Sequence, residues 1–456
     1  MSTYDIAAGA SPAGLNALVG QLFANPAARK GLFSGTVTQN VDTLGSVKVT
    51  YDITAAPTFV LTPPTPQQWK GVQPPNLPLP NVNAFQLVLS NVAGTAAIAG
   101  APPLAAHGAV TAFGTVSTQG GAVSLTVVAI LLDESSFSGW DKLIVNAILI
   151  PALLTALNKL VSGLPLPKPP GLAGLQFQPL TLAVMPQGIA IATSFSDGPA
   201  PNLSGFTAPA PNLYAVTKLT AINRLFAAEI KGPFSDEGSK GPSGWKASGR
   251  VSVNDPKLTI SIGGALTLNV SGTFQAYGEL SGAGVGVTKA VLCPIGAAAD
   301  AIANPSNWDK VISSFQLVYS PDPMPLPVSV TASAVTGSGS SQSQPVDIKI
   351  LSDKLPSSIK LTVKPTWSGS VTGAALAAAA SAFVDLVSVI FGSLIIKKIV
   401  AAYGHKSFSL PVSEMQKAIQ LPQGGKVTVS LSASVGAALQ PFGNDQLVQS
   451  LQVAIT

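Results

Sequence analysis

The stretch 371–403, VTGAALAAAASAFVDLVSVIFGSLIIKKIVAAY, sets the frame for the whole chain. It is rich first in Ala, then in Leu, Ile, Val and Phe, with a single acid, Asp385, before the pair Lys397–Lys398. A helix of this length runs roughly 45–50 Å at about 1.5 Å per residue, longer than the core of a small domain requires. A shorter relative at 143–161, LIVNAILIPALLTALNKLV, carries Pro151 to bend it. Both are apolar on more than one face. Each is therefore expected to be buried in protein, buried in lipid or set against an apolar ligand.

The surrounding composition favours extended structure. Of 456 residues, 46% are hydrophobic and only 10% charged, with 43 Gly and 38 Pro; charged residues usually make up about 25%. Ser, Thr, Asn and Gln must then solvate the outer faces. The formal charge of +5 is mild, and no Lys/Arg cluster interleaves with aromatics, so nucleic acid is excluded as a partner. Cys293 stands alone, which rules out an intrachain disulfide and a cysteine metal cluster. The N-terminal MSTYDIAAGASPAGLNALV lacks a basic n-region and an unbroken apolar core. No signal peptide is expected, so synthesis is placed in the cytoplasm, with release by a non-signal route left open.

Taken in order, SPAGLNALVGQLFAN (11–25) predicts a helix capped by Ser11 with Pro12 in its first turn and Leu15, Leu18, Val19 and Leu22 on one face. From Gly31 the period falls to two, and GLFSGTVTQN, GSVKVTYDI and PTFVLT read as half-buried strands. A Pro-rich loop spans 62–81, and strands follow at 84–92, 94–100, 108–118 and 121–131 before the shorter apolar helix. Strands are expected at 175–184 and 189–195, and a boundary in the Pro/Gly segment 196–212. An amphipathic helix at 213–231 then carries Val216, Leu219, Ile222 and Leu225 or Phe226 on one face. Further strands are expected at 248–253, 257–262, 264–273, 275–281 and 283–291, and a helical piece at 295–304. More follow at 312–319, 328–336, 344–351, 358–365, 406–411, 426–435 and 447–455.

Three landmarks occur twice in the same order. LNAL at 15–18 recurs as INRL at 222–225, 207 positions on. Each apolar helix is followed closely by Leu-Pro, at Leu164–Pro165 and Leu410–Pro411. Pro186–Gln187–Gly188 recurs as Pro422–Gln423–Gly424 before an alternating strand. Together they argue for a tandem duplication, with units at 1–205 and 206–456. This layout, with GLQFQPLTLAVMPQGIAIATSF (174–195) its most characteristic stretch, resembles the tubular lipid-binding (TULIP) superfamily of bactericidal/permeability-increasing (BPI) and lipid-transfer proteins. In character it is similar to the bacterial TULIP proteins of toxin gene clusters. The resemblance implies an α+β fold of two units, each a long twisted antiparallel sheet wrapped around a long apolar helix. Acyl chains or other apolar molecules would lie in the sheet–helix grooves. The chain departs from the secreted members in lacking their signal peptide and paired cysteines.

Catalysis finds little support in the residues. His107 and His405 lie far apart with no Ser-His-acid or metal spacing around either; His107 starts a strand and His405 suits the dipole at the end of the long helix. GSGSSQS (337–343) lacks a strand-to-helix elbow, and GAGVG (282–286) opens no helix. No enzyme activity, cofactor or metal is expected. SGWDK (138–142) and SNWDK (306–310) read as helix starts, with Trp140 and Trp308 at a membrane interface as the other reading. Asp385 disfavours a permanent span in the long helix, since a central Asp costs roughly 2.5–3.5 kcal/mol in hydrocarbon. Asn146, Pro151 and Asn158 make the shorter helix a sheet-covered core element.

Small residues from Ala374 to Ala382 allow the sheet close, while bulkier ones leave irregular apolar space. The expected lipid-contacting residues are Leu143, Ile148, Leu149, Leu153 and Leu157 in the first unit, and Val387, Ile390, Phe391, Leu394 and Ile395 in the second. The expected function is non-catalytic binding or transfer of lipids or other apolar molecules. The partners would be such molecules, a membrane surface and proteins of a toxin locus. Two alternatives stand beside it: a membrane-acting or insecticidal-type toxin or toxin accessory, and a structural pair of protein-interaction β domains.

Overall fold

The computed structural model describes residues 2–41, 45–97, 102–119, 122–132, 142, 145–166, 176–229, 234–240, 245–260, 264–281, 311–319, 324–333, 343–355, 400–401, 404–411, 416–421, 424–433 and 439–456. The long stretch 371–403 lies outside them apart from 400–401, as do the strands expected at 283–291 and 358–365 and the helical piece at 295–304.

The architecture is α+β, mostly antiparallel sheet with few helices. The first half holds β1 (Ile6–Ala10), β2 (Ser34–Val41), β3 (Gly45–Ile53), β4 (Thr58–Val60), β5 (Ala84–Ala97), β6 (Leu104–Gln119), β7 (Ala122–Leu132), β8 (Thr181–Met185) and β9 (Gly188–Thr193). The second half holds β10 (Leu213–Lys218), β11 (Phe234–Lys240), β12 (Trp245–Ile260), β13 (Leu266–Ser281), β14 (Val311–Tyr319), β15 (Met324–Ala332), β16 (Ser343–Ile350) and β17 (His405–Pro411). It ends with β18 (Gln416–Gln420), β19 (Lys426–Ala433), β20 (Gln440–Phe442) and β21 (Gln446–Ile455).

Three sheets result. One runs β2-β3-β5-β6-β7 with β4 on β5, another β11-β12-β13-β15-β16-β17 with β14 on β13. Between them a central sheet, β18-β19-β21-β10-β1-β9-β8 with β20 on β21, draws strands from both ends of the chain. At its middle β1 and β10 pair antiparallel with Ala8 opposite Ala215, and each leads into a helix, Pro12–Ala24 after β1 and Leu219–Glu229 after β10.

The Pro12–Ala24 helix follows the sequence closely. Ser11 Oγ accepts from Gly14 N at 3.1 Å, Pro12 occupies the first turn, and Leu15, Leu18, Val19 and Leu22 are all buried. Elsewhere tertiary pairing overrules local pattern. The helix expected over 213–231 begins as β10, because Leu213 to Thr217 pair with β1, and turns helical only at Leu219. The pairs expected at 84–92 and 94–100, and at 248–253 and 257–262, are single strands, β5 and β12. Register shifts, between Leu89 and Val92 and between Asn254 and Lys257, imitate an interruption. Within the Pro-rich loop, Pro66–Trp69 forms one helical turn closed by a Thr65–Gln68 capping box. His405 opens β17, just past the helical residues 400–401.

One large core joins the inner face of the six-stranded sheet, the Pro12–Ala24 helix, the segment Val145–Ser162 and the inner face of the central sheet. Its far end is closed by β18. Lys417 and Ile419 of that edge strand, with Leu421 just past it, face the core: Lys417 Nζ donates to Ser162 O, Ile419 packs on Gly163 and Leu421 on Gly31. A second, smaller cluster covers the outer face of the central sheet. There Leu203 and Phe206, from the segment expected to be a boundary, pack with Tyr4, Tyr214, Val216 and Val448.

Candidate functional site

The stretch 143–161, expected as one bent helix, forms two kinds of helix where it is described. Val145–Leu149 is π-helical, and Ile150–Ser162 is α-helical with Pro151 in its first turn. Proline has no N–H and crowds the carbonyl four residues earlier. The turn before it has widened accordingly, the usual form of a single π-turn. Asn146 Oδ1 is buried there with no partner among the described residues, a shortfall worth about 1–3 kcal/mol. Further along, Asn158 fixes the helix to the sheet: Oδ1 accepts from Val127 N at 2.8 Å and Nδ2 donates to Val127 O at 2.9 Å. The segment is thus tethered at its C-terminal end and weakest at its N-terminal turn.

By length and composition Val145–Ser162 is apolar enough to cross a membrane. It lies within the fold instead, with Val145, Ile148, Leu149, Ile150, Leu153, Leu157, Leu160 and Val161 buried, leaving Ala147, Thr155, Lys159 and Ser162 exposed. The sheet beneath its first turns carries small residues on the inner face, Gly94 and Ala106 opposite each other and Gly108 close by. Leu149 leans into the place a side chain on residue 94 would take: a Cβ there would sit 2.7 Å from Leu149 Cδ1. Around this contact Val92, Gly94, Ala106, Gly108, Val110, Leu132, Leu149 and Leu153, with His107, line a slot of about 10 Å³. That is at the lower edge of the roughly 10–15 Å³ a cavity needs to admit a single water. The slot lies between helix and sheet, and apolar groups make up its lining.

Leu149 and Leu153 of the expected contact residues border this slot, whereas Ile148 and Leu157 are buried core. Leu143, Val387, Ile390, Phe391, Leu394 and Ile395 lie outside the described residues. Sequence reading missed the sheet side of the slot. Its signal was there: a glycine inside a strand marks a close approach of another group, and Gly94 and Gly108 are such glycines.

Among the described residues no group of three or more His, Cys, Asp or Glu is placed to hold a metal. A polar constellation also lies at β15–β17. Asp347 there takes hydrogen bonds from Ser333 Oγ at 3.3 Å and from Ser407 Oγ, with His405 Nε2 at 3.4 Å. Both Ser407 and His405 point to the carboxylate, so the imidazole is not set to take a proton from the serine. Trp140, Trp308, Asp385 and Cys293 lie outside the described residues.

No family model matches the sequence, and no curated protein matches it. Among solved structures the chain is similar to P47 of Clostridium botulinum E1, at 10% identity and a TM-score of 0.40, over 99% of this chain and 100% of that one. It is also similar to a lipopolysaccharide binding protein, at 11% identity and a TM-score of 0.30, over 99% of each chain.

Proposed function

We propose that this is a TULIP-like protein that binds lipids or other apolar molecules, without catalysis, between the sheet and the Val145–Ser162 segment. The observation that carries the reading is the apolar slot at the π-turn, where Leu149 fills the notch over Gly94. As it stands the slot is too small for an acyl chain. Binding would therefore displace Leu149 and Leu153 at the turn where the helical ladder is already broken, each buried CH₂ contributing about 0.8 kcal/mol.

The tandem layout has its own support. The sequence repeat spaces LNAL and INRL by 207, and Ala8 and Ala215, facing each other across β1 and β10, are also 207 apart. The same offset relates two backbone bonds, Ser11 N to Asn212 O at 2.8 Å and Lys218 N to Asp5 O at 2.9 Å. It also relates Asn16 and Asn223, each of which ties its helix to a strand, although their strand partners are 199 apart: Asn16 Oδ1 accepts from Phe59 N at 2.6 Å and Asn223 Oδ1 from Leu258 N at 2.7 Å. A local two-fold axis through the β1–β10 pair is what a fused pair of like units would leave.

The test is titration of the full chain with a pyrene-labelled fatty acid, alongside native mass spectrometry of organic extracts. Saturable fluorescence gain in the wild type, lost in Gly94→Leu, is the expected result. No gain in the wild type, or an equal gain in a folded Gly94→Leu, would sink the reading. Leakage from liposomes by the lipid-free chain would favour the membrane-acting alternative, for which the length and apolarity of Val145–Ser162 are the motive.

A further inference from the structure

The outer face of β3, β5 and β6 holds an open hollow of about 330 Å³, separate in character from the slot behind it. Cross-strand register explains its shape. Asp52, Ala93 and His107 stand opposite one another in one row, and Thr50, Thr95 and Ala105 in the next. In the row between them Tyr51 and Ala106 are buried and Gly94 has no side chain, so that row presents backbone to the hollow. The floor is thus backbone and the methyl groups of Ala93 and Ala105, and the rim is polar.

The rim is pre-set. Arg29 donates to Asp52 Oδ1 at 2.8 Å, and its guanidinium lies 4.7 Å from the Phe23 ring centroid, which holds the pair in place. The Thr50 and Thr95 hydroxyls touch each other. His107 faces Asp52 from the far rim, roughly 10 Å away between backbones at the usual strand spacing.

The guest follows by elimination. Arg29 already neutralises Asp52, so a cation gains little, and among the described residues no lysine or arginine lines the hollow to hold an anion. A bulky apolar group would strip water from the carboxylate and imidazole and return no hydrogen bonds. A neutral ring bearing several hydroxyls can donate to Asp52, accept from a threonine hydroxyl or His107, and lay its C–H face on Ala93 and Ala105. We propose that this hollow is a binding site for a neutral polyhydroxylated ligand of the sugar-ring class. Its wide mouth and the absence of a stacking aromatic among the described residues set the affinity in the millimolar range.

Saturation-transfer NMR on the full chain with glucose, on the order of 10 mM, tests it. The expected result is transfer to the ring C–H protons, lost in Ala93→Phe, which fills the floor from the outer face. His107→Ala combined with Thr95→Val should weaken binding about tenfold, equivalent to about 1.4 kcal/mol. Circular dichroism melts establish that each variant is folded, and the fatty-acid titration should be unchanged in Ala93→Phe, whose side chain lies on the outer face away from the slot. No transfer in the wild type, or equal transfer in wild type and folded variants, overturns the proposal. If Ala93→Phe does not fold, the His107 and Thr95 variant decides alone.

Discussion

The central sheet and the six-stranded sheet both present small residues to their neighbours, and they fill the space above them in opposite ways. In β1, IAAGA, every residue is buried. Gly9 lies beneath the Tyr214 ring, its partner directly across the β1–β10 ladder. That filling comes from the adjacent strand, and Phe206 stacks on Tyr214 at 6.4 Å to hold it there. Above Gly94 the filling comes from Leu149, on a π-turn of another layer. A notch closed by a cross-strand aromatic is part of the ladder. A notch closed by a leucine on a weakened turn can open.

That contrast is exposed to several measurements. Gly9→Ala is expected to be the most damaging change, because its Cβ would fall on Ile189 O and the Tyr214 hydroxyl, a backbone atom and a fixed ring. A loss of about 3 kcal/mol or more, seen as a fall in chemical-denaturation midpoint or in soluble yield, would bear this out. Leu149→Ala should cost about 2–3 kcal/mol, the lower part of the range for buried leucine, and should raise pyrene–fatty acid binding. Leu157→Ala, away from the slot, should destabilise without that gain; if both variants gain equally, Leu149 has no special place. Gly94→Ala should cost only about 1 kcal/mol, since it meets the end of a flexible side chain. A cost equal to that of Gly9→Ala would erase the comparison.

The smallest effects concern the tyrosines. Tyr214 Oη is buried without a hydrogen-bond partner among the described residues, so Tyr214→Phe should cost nothing and gain about 1 kcal/mol, the low end of what an unpaired buried hydroxyl costs. Burial, and next the charge of Asp445, push the Tyr4 phenol from its ordinary 10.0 up to about 12, against the hydrogen bond to Gln446. The unfolded chain therefore releases this proton first. The stabilising contribution is complete below pH 10 and fades as pH rises from about 10 to about 12. Urea melts across that window should lose stability in the wild type and lose less in Tyr4→Phe.

Legibility in the sequence followed the reach of the interactions. The Pro12–Ala24 helix was readable because its cap, its first-turn proline and its buried face are all local. β1 was not read at all: five residues of mostly Ala and Gly carry no strand preference, and they are extended because β9 and β10 flank them. LYAVTK reads as well in helical as in strand period, and the partner strand chose. Of the slot, the helix side was legible as a run of apolar residues and yielded Leu149 and Leu153. The sheet side is defined by what Gly94, Ala106 and Gly108 lack, which becomes visible only once a helix is laid across them.

The seating of Ile419 and Leu421 on Gly163 and Gly31 bears on how the chain is made. More than two hundred and fifty residues separate β18 from the glycines it covers. A ribosome delivers the first part of the core long before the strand that seals it, and domains ordinarily fold as units during synthesis. Until β18 arrives, the core at Gly163 and Gly31 lacks the apolar side chains that cover it, a natural landing place for a holding chaperone.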